Sequence, residues 1–165
     1  MQLDANPLIT ILADQLRDLP DNTAIIGIHT GGVWVAERLR QALGSRHRLG
    51  ALAVTLHRDD YGSIGLHPQK KATDLPFAVD GQHILLVDDV IRSGRTLRAA
   101  LNELFDFGRP ASVKLACLVD RGGRELPFSA DYIGVALSLN NEDDLVLKNE
   151  QQQLRFEIEE KRMLP

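Results

Sequence analysis

Short apolar runs alternate with segments of helical period, and this alternation most constrains what the chain can fold into. The runs cover residues 24–28, 52–56 (within 49–57), 84–87 and 113–119. Each has strand length and is nearly apolar throughout, as a strand covered on both faces requires. Between the first two, Val35, Leu39, Ala42 and Leu43 recur at helical spacing, with Gly44 as the stop. A second helix opens at Thr96, carries the core stripe Leu97, Leu101, Leu104 and Phe105, and ends at Gly108 and Pro110. An N-terminal helix starts with Asn6 as cap and Pro7 in its first turn, and lays Leu8, Ile9, Leu12 and Leu16 on one face up to Pro20. Apolar strands alternating with amphipathic helices predict an α/β fold with a parallel sheet flanked by helices. Such sheets bind ligands beyond the carboxyl ends of their strands. That points to residues 30–32, 57–60, 88–96 and 120–124.

Two regions break the pattern. Residues 59–82 lose all periodicity and contain Gly62, Gly65, Pro68, Pro76 and Gly81. This exceeds ordinary loop length and predicts a flexible flap. The C-terminal part offers a short strand at 132–136. Leu145 and Leu147, then Leu154, Phe156 and Ile158, alternate as in an antiparallel hairpin over residues 143–160, with the polar run 149–153 as its turn. The 165 residues suit a single domain over 1–165.

Composition excludes several classes. With 44% apolar and 25% charged residues, the chain can build a core. No apolar run approaches the roughly 18 residues of a membrane span. Asp4, Asn6 and Pro7 interrupt any signal-peptide stretch. Cys117 is the only cysteine, which rules out intrachain disulfides and Cys-cluster zinc sites. It lies inside an apolar run, where a buried thiol that serves packing is expected, and a reducing, cytoplasmic setting follows. The net charge of −4 weighs against broad binding to nucleic acid or anionic membrane.

The chemistry concentrates in Ile84-Leu85-Leu86-Val87-Asp88-Asp89-Val90-Ile91-Arg92-Ser93-Gly94-Arg95-Thr96. An apolar strand delivers two adjacent carboxylates, and a turn with Ser, Gly and Thr leads into a helix. Gly94 lets the backbone curl so that successive N–H groups converge on an anion. Ser93 and Thr96 add hydroxyl donors. The helix N-terminus adds about half a positive charge. Phosphate suits that turn, and the carboxylates upstream suit a polyol or a cation. A plain strand–turn–helix junction with an exposed Asp pair would show the Asp-Asp alone. The thirteen residues together are far more specific, and they contain no Walker A pattern.

This stretch resembles the 5-phosphoribosyl-1-diphosphate (PRPP) motif of type I phosphoribosyltransferases. Further likeness runs through residues 26–32, 55–60, 108–110 and the long segment 118–134, which begins Leu118-Val119-Asp120-Arg121-Gly122-Gly123-Arg124. These are similar to the pyrimidine-regulator (PyrR) type of uracil phosphoribosyltransferase, and the resemblance spans residues 25–147. It implies the type I phosphoribosyltransferase fold, with a flap at about 59–82 and a small C-terminal antiparallel hood. By the same resemblance, Asp88 and Asp89 would hold the ribose hydroxyls, directly or through Mg²⁺. Val90, Ile91, Arg92, Ser93, Gly94, Arg95 and Thr96 would cradle the 5-phosphate. Thr30, Gly31 and Gly32 would receive the pyrophosphate, with Arg58 on the same side. Arg121 and Leu145 would lie near the base. Lys70 and Lys71 could reach the pyrophosphate, although a solvated pair is the commoner role for either one.

The implied reaction joins uracil to PRPP, giving UMP and pyrophosphate with Mg²⁺. Two departures from the family stand out. Gly31 replaces a common arginine, so His29 or Arg58 would have to supply any lost pyrophosphate contact. Arg92 stands where purine-specific relatives often carry Asp, and a guanidinium cannot accept a proton from the base. This argues against a purine substrate, while another nucleobase stays open as the alternative. The resemblance also implies a homo-oligomer, dimer or tetramer, and in some members binding to the leader of pyrimidine-operon mRNA. RNA binding asks for a basic surface. The −4 charge and the acidic segment Asn140-Asn141-Glu142-Asp143-Asp144 lead to the expectation of transferase activity with weak or no RNA regulation.

The remaining polar candidates carry less. The five histidines show no HxxxH or HExxH spacing for zinc. His29 and His57 sit near strand ends, within reach of a ligand, and His47 and His67 suit solvated loops. Trp34 suits packing, Arg46-His47-Arg48 a solvated turn, and Glu142-Asp143-Asp144 an exposed turn.

Overall fold

The computed structural model describes residues 2–54 and 72–160. Its main sheet has five strands: β2 (Thr23–Ile28), β3 (Leu49–Leu52), β4 (His83–Ile91), β5 (Ser112–Asp120) and β6 (Tyr132–Ala136). Their order is β3-β2-β4-β5-β6, and every pairing is parallel. The helices are α1 (Asn6–Gln15), α2 (Gly31–Ala42) and α3 (Arg95–Asp106). A separate antiparallel sheet, in the order β1-β8-β7, joins β1 (Gln2–Asp4), β7 (Asp143–Glu150) and β8 (Gln153–Glu160).

Strand periodicity divides the core. Ile25, Leu85, Val87, Ala116 and Leu118 face one side, where Leu8, Leu12 and Leu16 of the α1 region and Val35 and Leu39 of α2 cover them. Ile26, Ile28, Ile84, Leu86, Leu115 and Cys117 face the other, under Leu97, Ala100 and Leu104 of α3. The small sheet joins the first side through Leu147, Leu154 and Phe156, all buried. Burying each such side chain contributes roughly 1.5–3 kcal/mol. The apolar face of α1 is therefore spent inside the chain, and Ile11, at 44% exposure, is its outlying residue.

Several elements differ from the sequence expectation. The position before α1 is Ala5, and Asp4 Oδ1 accepts the Asn6 N–H at 3.0 Å, so the capping oxygen comes from Asp4. The helix ends at Gln15, short of Pro20. Strand β4 continues four residues past the apolar run because β5 offers ladder partners out to the Ile91–Asp120 pair. Phe105 is 54% exposed: it lies next to Leu104 on the helix, and only Leu104 turns fully inward. Ala42 is exposed at the end of α2. His47 is 2% exposed, and its Nδ1 hydrogen-bonds the Thr23 carbonyl at 3.0 Å, which ties the start of β2 to the turn before β3.

Strand β1 was not foreseen, since three residues carry no periodicity and its partner β8 lies at the other end of the chain. The hairpin turn narrows to Gln151 and Gln152, both left-handed at φ 51° and 65°, which makes a two-residue loop. Residues 72–82 lie against the sheet. Asp74 forms an antiparallel bridge with Ala51, and Val79 is 2% exposed. Leu75 and Phe77 pack on the α3 side, with the Arg48 guanidinium 5.1 Å from the Phe77 ring centre. Residues 55–71 lie outside the described residues, and with them the end of the expected strand 52–56, His57, Arg58, His67, Lys70, Lys71 and the part of the expected flap before residue 72.

Candidate active site

Strands β2 and β4 are adjacent and parallel, so the loop after β2 and the last residues of β4 meet at one sheet edge. The His29–Thr30 peptide there is cis. Close approach depends on two glycines. A Cβ at Gly32 would lie 2.4 Å from the Val87 carbonyl oxygen and 3.1 Å from Asp88 Cα, so the start of α2 rests on the β4 backbone. A Cβ at Gly31 would lie 2.2 Å from Asp89 Oδ2. Gly31 and Gly32 are thus brought against the Asp pair, and Thr30 precedes them at the cap of α2.

The two carboxylates differ in environment. Asp88 is 6% exposed, and its Oδ1 accepts the Asp89 N–H at 2.9 Å. Burial, and then the charge of Asp89, push its carboxyl well above the ordinary carboxylate range. Asp89 is half-buried, and its Oδ1 accepts the Val90 N–H at 2.8 Å. A ligand that relieves the crowding of these two acids would be favoured, and a divalent cation or a diol both qualify. Among the described residues, no three His, Cys, Asp or Glu side chains gather to hold a metal by themselves. Two hard carboxylates completed by substrate oxygens and water are how Mg²⁺ is commonly held, so Asp88 and Asp89 fit it in that shared form.

Beyond β4 the chain turns at Gly94 (φ 92°, left-handed) into α3. A Cβ at Gly94 would meet Phe128 at 3.2 Å and Leu126 at 3.4 Å, so space and dihedral both call for glycine. Ser93 Oγ accepts the Arg95 N–H at 3.2 Å, and the Arg95 Nε donates to Glu125 Oε2 at 2.7 Å. Thr96 lies in the first turn of the helix. The turn is therefore packed against residues 125–128.

Arg92 and Arg121 reach the small sheet. Arg92 Nη2 donates to the Asn141 carbonyl at 3.0 Å, and its Nη1 lies 3.5 Å from Asp144 Oδ1. Arg121, 8% exposed, donates to the Asp143 carbonyl at 2.7 Å and the Asn140 carbonyl at 3.1 Å. Burial, and then the nearby Arg92 charge, lower its pKa. The expected exposed acidic turn is thus a docking segment for two arginines, and Asp143 and Asp144 begin β7. Leu145 follows on β7, half-buried opposite Ile158, and packs on the core beneath the small sheet.

Arg124 was missed by the sequence reading, although it lies at the end of the segment 120–124 that the strand rule marked. Its Nη2 donates to Asp120 Oδ2 at 2.7 Å, its Nη1 to the Arg92 carbonyl at 2.9 Å, and its Nε to the Phe128 carbonyl at 2.7 Å. Burial raises the Asp120 carboxyl, but the Arg124 hydrogen bond, the Gly122 N–H and the Arg124 charge outweigh it and hold the pKa below the ordinary value. Cys117 pairs in register with Asp88. Burial, followed by the Asp88 and Asp120 charges, pushes its thiol up to about 12, so it remains protonated. None of the helices is long and apolar enough to cross a membrane, among the described residues.

Comparison with known proteins agrees with this geometry. The phosphoribosyl transferase domain family matches residues 2–146. A Pseudomonas paraeruginosa protein named "Bifunctional protein PyrR" is 58% identical over 122 residues, covering 74% of this chain and 72% of its own. The protein of that name from Ralstonia nicotianae is 51% identical over 154 residues, covering 90% and 88%. Among solved structures, a Trypanosoma cruzi hypoxanthine phosphoribosyl transferase superposes with a TM-score of 0.64 at 25% identity, over 85% of this chain and 78% of that one. A purine phosphoribosyltransferase from Pyrococcus horikoshii gives 0.61 at 26%, over 81% and 82%. The relatives' shared name assigns them two functions, and the acidic balance of this chain does not select one. Matched over most of its length at both levels, the chain belongs to the phosphoribosyltransferase family and, within it, to the PyrR group.

Proposed function

We propose that this chain transfers the phosphoribosyl group of PRPP to uracil, releasing UMP and pyrophosphate. One observation carries the reading. A glycine loop, an Asp pair with one member buried and an anion-suited turn before a helix converge at the carboxyl ends of two adjacent parallel strands.

Of the expected cradle Val90–Thr96, Val90 and Ile91 end β4, and in this reading the turn that follows at Arg92–Thr96 and the N-terminus of α3 bind the 5-phosphate. Asp88 and Asp89 hold the ribose diol, and the Thr30–Gly31–Gly32 backbone takes the pyrophosphate. Mg²⁺ at the Asp pair would supply positive charge toward the departing pyrophosphate. As the C1–O bond to pyrophosphate breaks, C1 gains oxocarbenium character and a uracil nitrogen bonds to it, its proton leaving to the released pyrophosphate or to water. The protein needs no nucleophile of its own, and its work is alignment and charge stabilisation. The part of the expected flap before residue 72 would exclude water, because hydrolysis of PRPP competes with transfer. Arg121 and Leu145 would border the base. Arg92 accepts no proton and is turned toward the small sheet, which favours uracil over a purine. The homo-oligomer belongs to the same proposal, and sedimentation equilibrium measures it.

Turnover of PRPP with uracil, hypoxanthine, guanine and orotate tests the reading. Uracil should be the substrate, and Asp88→Asn with Asp89→Asn should abolish turnover without unfolding the chain. Wild-type activity in that double variant would remove the assignment. The relatives' name favours a second reading beside the first, regulation through pyrimidine-operon leader RNA. The net charge of −4 already counts Arg92 and Arg121, whose docking on residues 140–144 leaves that balance unchanged, so the RNA reading rests on the relatives' name. A salt-dependent gel shift with the leader RNA, tightened by UMP, would establish it.

A further inference from the structure

Three consecutive backbone carbonyls of the phosphate turn are held from one side by a single segment. The Arg121 N–H donates to the Ile91 carbonyl at 3.1 Å. Arg124 Nη1 donates to the Arg92 carbonyl at 2.9 Å. The Glu125 and Leu126 N–H groups donate to the Ser93 carbonyl at 2.9 and 3.0 Å.

In a planar trans peptide the C=O and the following N–H point in opposite directions. Fixing these three carbonyls toward residues 121–126 therefore aims the N–H groups of Arg92, Ser93 and Gly94 away from that segment. Successive N–H groups presented together form an anion-binding concavity. Behind Gly94, Leu126 and Phe128 fill the space, so the turn cannot fall back toward the segment.

Of the four donors, three are backbone and one is a side chain. We infer that Arg124 is a positioning residue for the 5-phosphate site, orienting its N–H groups through the Arg92 carbonyl. Its own position is fixed by the Asp120 carboxylate and the Phe128 carbonyl, so all three kinds of guanidinium nitrogen are engaged. Its side chain is 24% exposed, and that of Asp120 is 23% exposed. A planar fork serving three acceptors at once is a task that lysine cannot fully copy. Arg124 acts on the turn from behind and touches no substrate. This inference rests on the assignment of the turn to phosphate.

The test uses the full chain with Arg124→Gln, Arg124→Lys and Asp120→Asn. Steady-state kinetics, calorimetric binding of ribose 5-phosphate and thermal melting are measured for each. Arg124→Gln should raise KM for PRPP and Kd for ribose 5-phosphate about tenfold or more, with KM for uracil within about twofold. Arg124→Lys should recover part of the loss. Asp120→Asn, which keeps the guanidinium but loosens its anchor, should raise the same two constants about threefold.

A folded Arg124→Gln chain that binds ribose 5-phosphate like the wild type overturns the inference and leaves the phosphate site standing. Equal rises in both KM values alongside a lower melting temperature also overturn it, because they indicate a general structural role. If Arg124→Gln does not fold, wild-type ribose 5-phosphate binding by Asp120→Asn overturns it. A wild-type chain that neither turns over PRPP nor binds ribose 5-phosphate removes the site reading itself, and the inference with it.

Discussion

The carboxylate of Asp89 occupies the space that a side chain on residue 31 would need: a Cβ there would lie 2.2 Å from Oδ2 and 2.7 Å from Cγ. The glycine that departs from the family's arginine is therefore matched to the second acid of the PRPP motif. The loop of residues 30–32 and the Asp pair share one contact surface, and in this arrangement the Asp89 carboxylate stands where a side chain on residue 31 would begin.

Gly31→Ala separates this fit from stability. The displaced group is the end of a side chain, which can rotate away, so the melting free energy should change by less than about 1 kcal/mol. Turnover of PRPP should fall about tenfold or more, since a tenfold loss is only ~1.4 kcal/mol of barrier. Thermal melting and steady-state kinetics on the same preparation check both halves. Unchanged kinetics would show that Asp89 is not held where it must act.

The Asp120–Arg124 pair predicts a pH dependence. The folded Asp120 pKa lies below its unfolded value, so the folded state binds the proton less well than the unfolded chain. Its stabilising contribution is complete above the unfolded value of about 3.9 and is lost as pH falls through the folded pKa. Wild type should therefore melt above Asp120→Asn at pH 7, with the gap closing below about pH 4. The pair is partly open to water, so the gap should be modest. Parallel melting curves from pH 3 to 7 measure it, and a gap that widens toward acid would contradict the ion pair.

Cys117 should resist thiol reagents in the native state. It is fully buried, and its pKa of about 12 leaves almost no thiolate at pH 8. Native protein should stay unlabelled by a disulfide-exchange reagent over minutes, and raising the pH to 9 should add little. In denaturant, one thiol per chain should react. Rapid native labelling would mean that β5 opens far more readily than its packing indicates.

The strand–helix alternation was legible because parallel strands covered on both faces have few polar positions, and helices one face apiece. The Asp pair at the end of β4 and the Gly94 turn into α3 were legible because they are contiguous in sequence. Phe105 and Ala42 were placed wrongly, since apolar character does not say which of two neighbouring helix positions turns inward. His47 was placed wrongly because its partner, the Thr23 carbonyl, lies 24 residues away. Likewise β1 exists only through β8, at the opposite end of the chain.

The sequence by itself determined the α/β class, the parallel core strands and the acids and glycines of the candidate site, through local pattern and contiguous motif. Tertiary structure alone decided how the site is supported. It set the Gly31 backbone against Asp89, turned Arg92 and Arg121 onto residues 140–144, and brought Arg124 behind the turn that leads into α3. Those relationships join residues 30 or more positions apart (Arg121 to its acceptors, about 20), and a hydrogen bond across such a span leaves no periodic trace in the chain. It exists only because adjacent parallel strands end together at one edge of the sheet.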